Sequence, residues 1–188
     1  MAVELVFETH AISLDNERGI ATGWLPGTLS YAGRLEAQKL GDRRRGDHIV
    51  AVFTSDLHRA VETAEIAFAA TGIPIVHDPR LRECNYGDMN GMPVGQLAAE
   101  AARRIDESWP AGESYRQVVG RIRRFLADIV ANYQDKRIVV IGHSATRWSL
   151  DHLINGIALE DLVTAPFNWQ PGWEYRVDRP AAATRSLD

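Results

Sequence analysis

The chain has 188 residues, of which 45% are hydrophobic and 24% are charged, and its formal net charge is -4. This length and composition predict one globular domain and exclude a collagen-like chain, a disordered chain and a disulfide scaffold. The single cysteine, Cys84, excludes a metal site built from cysteines, and the acidic balance argues against a nucleic-acid partner bound through bulk positive charge.

Short apolar runs mark the predicted strands, because buried strands of parallel sheets are apolar on both faces. The strongest of these runs span residues 3–7, 49–53, 74–76 and 138–141. A weaker alternation at 173–177 predicts an edge strand. Loops rich in glycine, proline and polar residues are expected at 11–29 and 79–92.

Helical periodicity and capping residues fill the segments between these strands. The predicted helices span 30–41, 57–70, 93–108, 114–133 and 146–154. Ser30 and Ser55 are the expected N-caps of the first two helices, and Gly41 is expected to end the first. Strands that alternate with helices predict a layered α/β fold with a mainly parallel sheet.

The compartment is predicted from three features of the sequence. No apolar stretch is long enough to cross a membrane, and the first residues lack a signal-peptide pattern. A lone cysteine is compatible with a reducing environment. We therefore expect a cytoplasmic protein with no membrane partner.

In parallel α/β sheets, ligands bind at the carboxyl ends of the strands, which identifies four segments of interest. His10 and His143 each directly follow an apolar run, Arg59 lies just after another, and Glu83 lies in a glycine-containing loop. An arginine there is suited to hold phosphate oxygens, and a carboxyl beside a histidine is suited to general acid catalysis. Taken singly, each of these residues has a structural alternative, either packing of the histidines or a solvated surface charge.

The order of these features resembles the histidine phosphatase superfamily, which includes phosphoglycerate mutases, over residues 3–178. The most specific match is the segment 55–64, Ser-Asp-Leu-His-Arg-Ala-Val-Glu-Thr-Ala. The further matching pieces are Thr9-His10-Ala11, Leu29-Ser30-Tyr31-Ala32-Gly33, Leu81-Arg82-Glu83, Gly112-Glu113-Ser114 and Gly142-His143. The resemblance implies a three-layer, phosphoglycerate mutase-like sandwich. We expect one domain over 1–178, a small cap insertion at 93–115 and a flexible tail at 179–188.

The resemblance also implies catalytic roles for four residues. His10 would attack phosphorus as a neutral imidazole and form a phosphohistidine. Arg59 and His143 would neutralise the phosphoryl oxygens, and Glu83 would protonate the leaving oxygen and later activate water. No cofactor and no metal is expected, and the partner is a small phosphorylated substrate.

One position departs from the pattern of this superfamily. An arginine normally precedes the nucleophilic histidine, and here that residue is Thr9. Asn16 and the backbone N–H of Ser144 are expected to bind phosphate beside it. Three arginines are candidates to replace the missing charge: Arg18, Arg82 and Arg147. Of these, Arg147 is favoured because it lies four residues after His143.

Three functions remain open on the sequence. The first is a phosphomonoester hydrolase that works through a phosphohistidine. The second is a non-catalytic member that binds a phosphorylated ligand, which the substitution at Thr9 motivates. The third is a phosphoglycerate mutase, which the short segment between Glu83 and His143 disfavours. The aromatic segment 164–175 is expected to line a pocket, form a dimer surface or pack on the core, and a homodimer is left open.

Overall fold

A twisted sheet of five strands forms the centre of the computed structural model, which describes residues 2–178. The strands of the fold are β1 (Ala2–Thr9), β2 (Ile20–Ala21), β3 (Ile49–Thr54), β4 (Ile75–His77), β5 (Met92–Pro93), β6 (Arg137–Gly142) and β7 (Trp173–Asp178). The central sheet has the order β4-β3-β6-β1-β7, and β2 pairs with β5 in a separate ribbon. Only β7 runs antiparallel to its neighbour in the central sheet.

Helices cover both faces of this sheet. They are α1 (Leu14–Glu17), α2 (Tyr31–Arg44), α3 (His58–Phe68), α4 (Val94–Glu100), α5 (Tyr115–Asn132), α6 (Ser144–Asn155) and α7 (Leu159–Thr164). On one face, Phe7 belongs to a core with Phe125 of α5 and Leu150 of α6. On the other face, Val6 packs in a second core with Ala64 of α3. The predicted three-layer α/β fold is therefore confirmed.

The parallel register of three central strands brings their carboxyl ends together. Thr9, the last residue of β1, lies opposite Gly142 of β6, and Thr54 of β3 lies opposite Ile141. The residues that follow these strands therefore meet at one edge of the sheet. In open α/β folds, ligands bind at this edge. His10 and His143 are the first residues after β1 and β6.

Two predicted helix boundaries are wrong. Helix α2 continues past Gly41, where a Cβ atom would lie 2.5 Å from the backbone oxygen of Ala67 in α3, so the glycine permits close packing of the two helices. Ser55 does not cap α3, whose N-cap is Leu57. Ser30 caps α2 as predicted, through a hydrogen bond from the N–H of Gly33.

The segment 93–115 differs most from its prediction. In place of one helix over 93–108, it contains β5, the short helix α4 and a 3-10 turn at Arg103–Ile105. Ala101 and Ile105 are buried in the main core, so the chain bends to place both there. Helix α7 and the β2–β5 ribbon have no counterpart in the sequence prediction. The predicted tail, 179–188, lies outside the described residues.

Candidate active site

A cavity of about 900 Å³ opens at the carboxyl ends of the central strands. It is lined by seven of the eight residues that the sequence selects: Thr9, His10, Asn16, Arg59, Glu83, His143 and Ser144. The imidazole centroids of His10 and His143 lie 5.0 Å apart. Residues from distant parts of the chain thus surround a single space.

The hydrogen bonds of His10 define its tautomer. Its Nδ1 lies 2.7 Å from the carbonyl oxygen of Ala11, which only accepts, so Nδ1 carries the proton. Arg59 donates from Nε to His10 Nε2 at 3.2 Å, so Nε2 presents its lone pair. Burial, together with the charge of Arg59, lowers the pKa of His10 to about 3. His10 is therefore a neutral imidazole at physiological pH, with its unprotonated nitrogen at Nε2.

The same reasoning assigns the tautomer of His143, whose proton lies on the other ring nitrogen, Nε2. Arg59 Nη2 lies 3.3 Å from its Nδ1, and because a guanidinium only donates, Nδ1 accepts. The proton is on Nε2, which donates to Ser55 Oγ at 2.7 Å. Burial, and then the charges of Arg59 and His10, hold the pKa of His143 well below its ordinary value. The contact with His143 also explains why Ser55 does not cap α3.

Arg59 connects the two imidazoles from the first turn of α3. Besides its two histidine contacts, it donates from Nη2 to the backbone oxygen of Gly23 at 2.9 Å. Its Nη1 is buried and has no hydrogen-bond partner among the described residues. Burial lowers the pKa of Arg59, but a guanidinium is so strongly basic that it stays charged at neutral pH. The site thus holds one fixed cation with an unused donor.

Glu83 has a buried carboxyl group that contacts the first turn of α6. Its Oε1 accepts hydrogen bonds from the N–H groups of Cys84 at 2.8 Å and Ala145 at 3.2 Å. Burial raises the pKa of Glu83, although those bonds and the charge of Arg59 oppose the rise. A carboxyl with a raised pKa keeps its proton to a higher pH than an exposed glutamate does, which suits it to donate that proton.

Two side chains that the sequence analysis missed hold the backbone of Glu83. Trp24 donates from Nε1 to the Glu83 carbonyl oxygen at 2.7 Å, and Arg121 donates from Nη2 at 2.9 Å. Arg121 also pairs with Glu113 at 3.0 Å. The signal was present in the helix pattern, because Arg121 lies three residues after Val118 on the apolar face of α5, where an unpaired charge would be costly.

The remaining polar residues frame the cavity near His10. Asn16 accepts at Oδ1 from the N–H of Ser13 at 3.0 Å and from its hydroxyl at 2.9 Å, which orients the amide. Ser144 is the first residue of α6, so the cavity receives the positive end of that helix dipole. Thr9, the last residue of β1, also lines the cavity.

The predicted phosphate contact of Arg147 is wrong. Arg147 does not line the cavity; its Nε pairs with Asp151 at 3.1 Å, and its guanidinium lies 4.9 Å from the ring centre of Trp173. Arg82 is paired with Asp56 at 2.6 Å, and Arg18 is not among the cavity residues. Within the described part of the chain, the cavity is lined by a single arginine and no lysine.

Two negative observations apply to residues 2–178. None of their His, Cys, Asp and Glu side chains form a group of three or more that could hold a metal ion. No helix in this range combines the length and the apolar character that a membrane span requires.

Comparison with known proteins agrees with this geometry. The model of the histidine phosphatase superfamily (branch 1) matches residues 5–169. A 2,3-bisphosphoglycerate-dependent phosphoglycerate mutase of Gloeobacter violaceus is 28% identical, over 88% of this chain and 85% of its own. The structure of Bacillus stearothermophilus YhfR superposes with a TM-score of 0.80 at 26% identity, covering 90% of this chain and 88% of YhfR.

A mycobacterial glucosyl-3-phosphoglycerate phosphatase, solved in complex with VO3, superposes with a TM-score of 0.75 at 28% identity. The alignment covers 87% of both chains. Together with the family match, these relatives support a phosphatase or mutase role. The chain belongs to the histidine phosphatase superfamily, branch 1.

Proposed function

We propose that this protein hydrolyses phosphomonoesters through a phosphohistidine formed on His10. The observation that carries the proposal is the imidazole of His10, whose Nδ1–H is bound to Ala11 and whose Nε2 lone pair faces the Arg59 guanidinium. A neutral, oriented nucleophile beside a fixed cation and a buried carboxyl is the set of groups that phosphoryl transfer to histidine requires.

In the first step, His10 Nε2 attacks phosphorus, a P–N bond forms and the bond from phosphorus to the alcohol oxygen breaks. Glu83 gives its proton to the departing oxygen, so the alcohol leaves neutral. Arg59 binds the phosphoryl oxygens through donors that include its unpartnered Nη1. The positive charge that develops on the imidazole is stabilised at Nδ1–H by the carbonyl of Ala11.

In the second step, water attacks the phosphohistidine and gives a proton to the Glu83 carboxylate. The P–N bond breaks, inorganic phosphate leaves, and His10 and Glu83 return to their starting forms. No metal takes part in either step. The cytoplasmic location and the possibility of a homodimer stay predictions.

The non-catalytic alternative is less well supported than hydrolysis. A binding protein needs cations and donors for phosphate, but it has no need for a buried carboxyl whose pKa is raised. The mutase alternative requires a bound intermediate that keeps a second anionic group. Arg59 is the only arginine or lysine that lines the described cavity, which leaves such a group without a cationic partner.

The test compares His10→Asn with His77→Asn, using p-nitrophenyl phosphate. His77 also ends a parallel strand but does not line the cavity, so it is a matched control. We expect His10→Asn to lose at least about a thousandfold in kcat and His77→Asn to keep wild-type kinetics. Quenching the reaction in alkali preserves phosphohistidine. The phosphoryl group from the substrate should then be found on the peptide that contains His10.

Hydrolysis that survives in His10→Asn, or a phosphoryl group found on another residue, would refute the mechanism. A wild-type protein that binds phosphate but releases no p-nitrophenol would establish the binding alternative. Conversion of 3-phosphoglycerate to 2-phosphoglycerate faster than its hydrolysis would establish the mutase alternative.

A further inference from the structure

Most of the cavity lies beyond the residues that would hold a phosphoryl group. Its volume of about 900 Å³ is large for a pocket that binds a small molecule. The outer walls come from α4, α6, the end of α7 and the segment that follows α7. Side chains that represent these walls are Val94, Leu97, Trp148, Val163 and Phe167.

The outer walls carry almost no charge. Among the described residues that line the cavity, the charged side chains are Arg59 and Glu83, both at the phosphoryl end, and Glu36. A carboxylate or second phosphate of a ligand would lose water in the outer part without meeting a cation among the described residues that line the cavity. Desolvation of an unpaired charge is strongly unfavourable, so the walls select against such a group.

Apolar ligand surface is favoured in the same place. Leu97, Trp148 and Phe167 are not fully packed in the protein core and present hydrocarbon to the cavity. Ligand hydrocarbon that covers these side chains is removed from water, which favours binding. The aromatic rings of Trp148 and Phe167 add specific contacts with the ligand.

We infer that the substrate is the phosphate monoester of an apolar alcohol, aliphatic or aromatic, with no second anionic group. The inference rests on the proposed function for the phosphoryl end and adds the class of the alcohol. It separates this chain from relatives named for phosphoglycerates, since a glycerate carries a carboxylate.

The test uses two phosphate esters that differ only at the far end. Hexyl phosphate and 6-phosphooxyhexanoate have the same chain and nearly the same leaving oxygen, but the second ends in a carboxylate. We expect the kcat/KM for hexyl phosphate to be at least about tenfold higher, because only the carboxylate is desolvated without a partner.

Two neighbouring alanines of α4 provide matched variants. Both are exposed, but Ala98 lines the cavity and Ala99 does not. Ala98→Arg places a cation on the apolar wall, so we expect it to lower kcat/KM for hexyl phosphate and raise it for 6-phosphooxyhexanoate. Ala99→Arg adds the same charge to the same helix and should leave the ratio of the two substrates unchanged.

Three results would overturn the inference: equal or better use of the carboxylate ester, no change of ratio in Ala98→Arg, or the same change in Ala99→Arg. If neither ester is hydrolysed, the proposed function fails separately. Calorimetric binding of the two esters to His10→Ala then decides the inference, which requires tighter binding of hexyl phosphate.

Discussion

The pH at which His10 loses its nucleophilic lone pair provides a direct test of the site. With the pKa of about 3 that burial and Arg59 impose, about 99% of His10 is neutral at pH 5. A histidine with an ordinary pKa near 6.5 would be only about 3% neutral there. The folded site therefore gives about thirtyfold more nucleophile at pH 5 than an unperturbed imidazole would.

The sign of this effect follows from the cause. Burial and a nearby positive charge both disfavour the protonated ring, so the neutral form persists as the pH falls and is lost only near pH 3. The acid limb of kcat/KM, corrected for titration of the substrate phosphate, should not show a pKa near 6.5 that belongs to His10.

The assay is a titration of ¹⁵N-histidine-labelled protein without phosphate, from pH 7.5 to pH 4. His10→Asn identifies the His10 resonances by their disappearance. We expect Nδ1 to remain protonated and Nε2 unprotonated across this range. A His10 ring that titrates near pH 6.5, or that carries its proton on Nε2, would refute the tautomer and the electrostatic argument together.

Three further predictions concern charge, acid catalysis and packing. Thr9→Arg should lower the inhibition constant of inorganic phosphate by roughly ten- to a hundredfold, because a charge-assisted contact contributes about 1.5–3 kcal/mol, and an unchanged constant would contradict this. Glu83→Gln should slow hydrolysis of alkyl phosphates far more than that of p-nitrophenyl phosphate, whose leaving oxygen needs no proton; equal losses would exclude Glu83 as the acid. Gly41→Ala should lower the melting temperature, since its Cβ would meet a backbone oxygen at 2.5 Å, whereas Gly120→Ala, with nothing within 4 Å, should raise stability by about 0.5–1 kcal/mol in chemical denaturation.

The sequence was informative wherever local pattern and topology act together. Apolar runs marked the central strands, and the rule for parallel sheets then placed His10 and His143 at one edge, where their ring centres lie 5.0 Å apart. Capping chemistry located Ser30 correctly. The apolar runs and the cap depend on residues close in the chain, which a sequence displays directly, and the sheet rule supplies the long-range step.

The errors lie where long-range packing decides. Arg147 was selected for its spacing from His143, but the same helical spacing places it beside Asp151, and the sequence does not show which side of α6 faces the cavity. Trp24 and Arg121 donate to a backbone carbonyl, so no motif identifies their partner, although a charge on the apolar face of α5 already singles out Arg121. Helix α2 passes Gly41 because α3 packs against it, so intrinsic preference was overridden by a neighbour.

The position of Arg59 between two imidazoles has a consequence for anyone who redesigns this pocket. Its Nε donates to Nε2 of His10 and its Nη2 to Nδ1 of His143, so it fixes the lone pair of each ring, and a single substitution at this position alters three groups together. Measured losses at Arg59, His10 and His143 should therefore not sum in combined variants. New specificity is better sought on the outer walls, where substitutions change the fit of the alcohol and leave the tautomers of the two histidines unchanged.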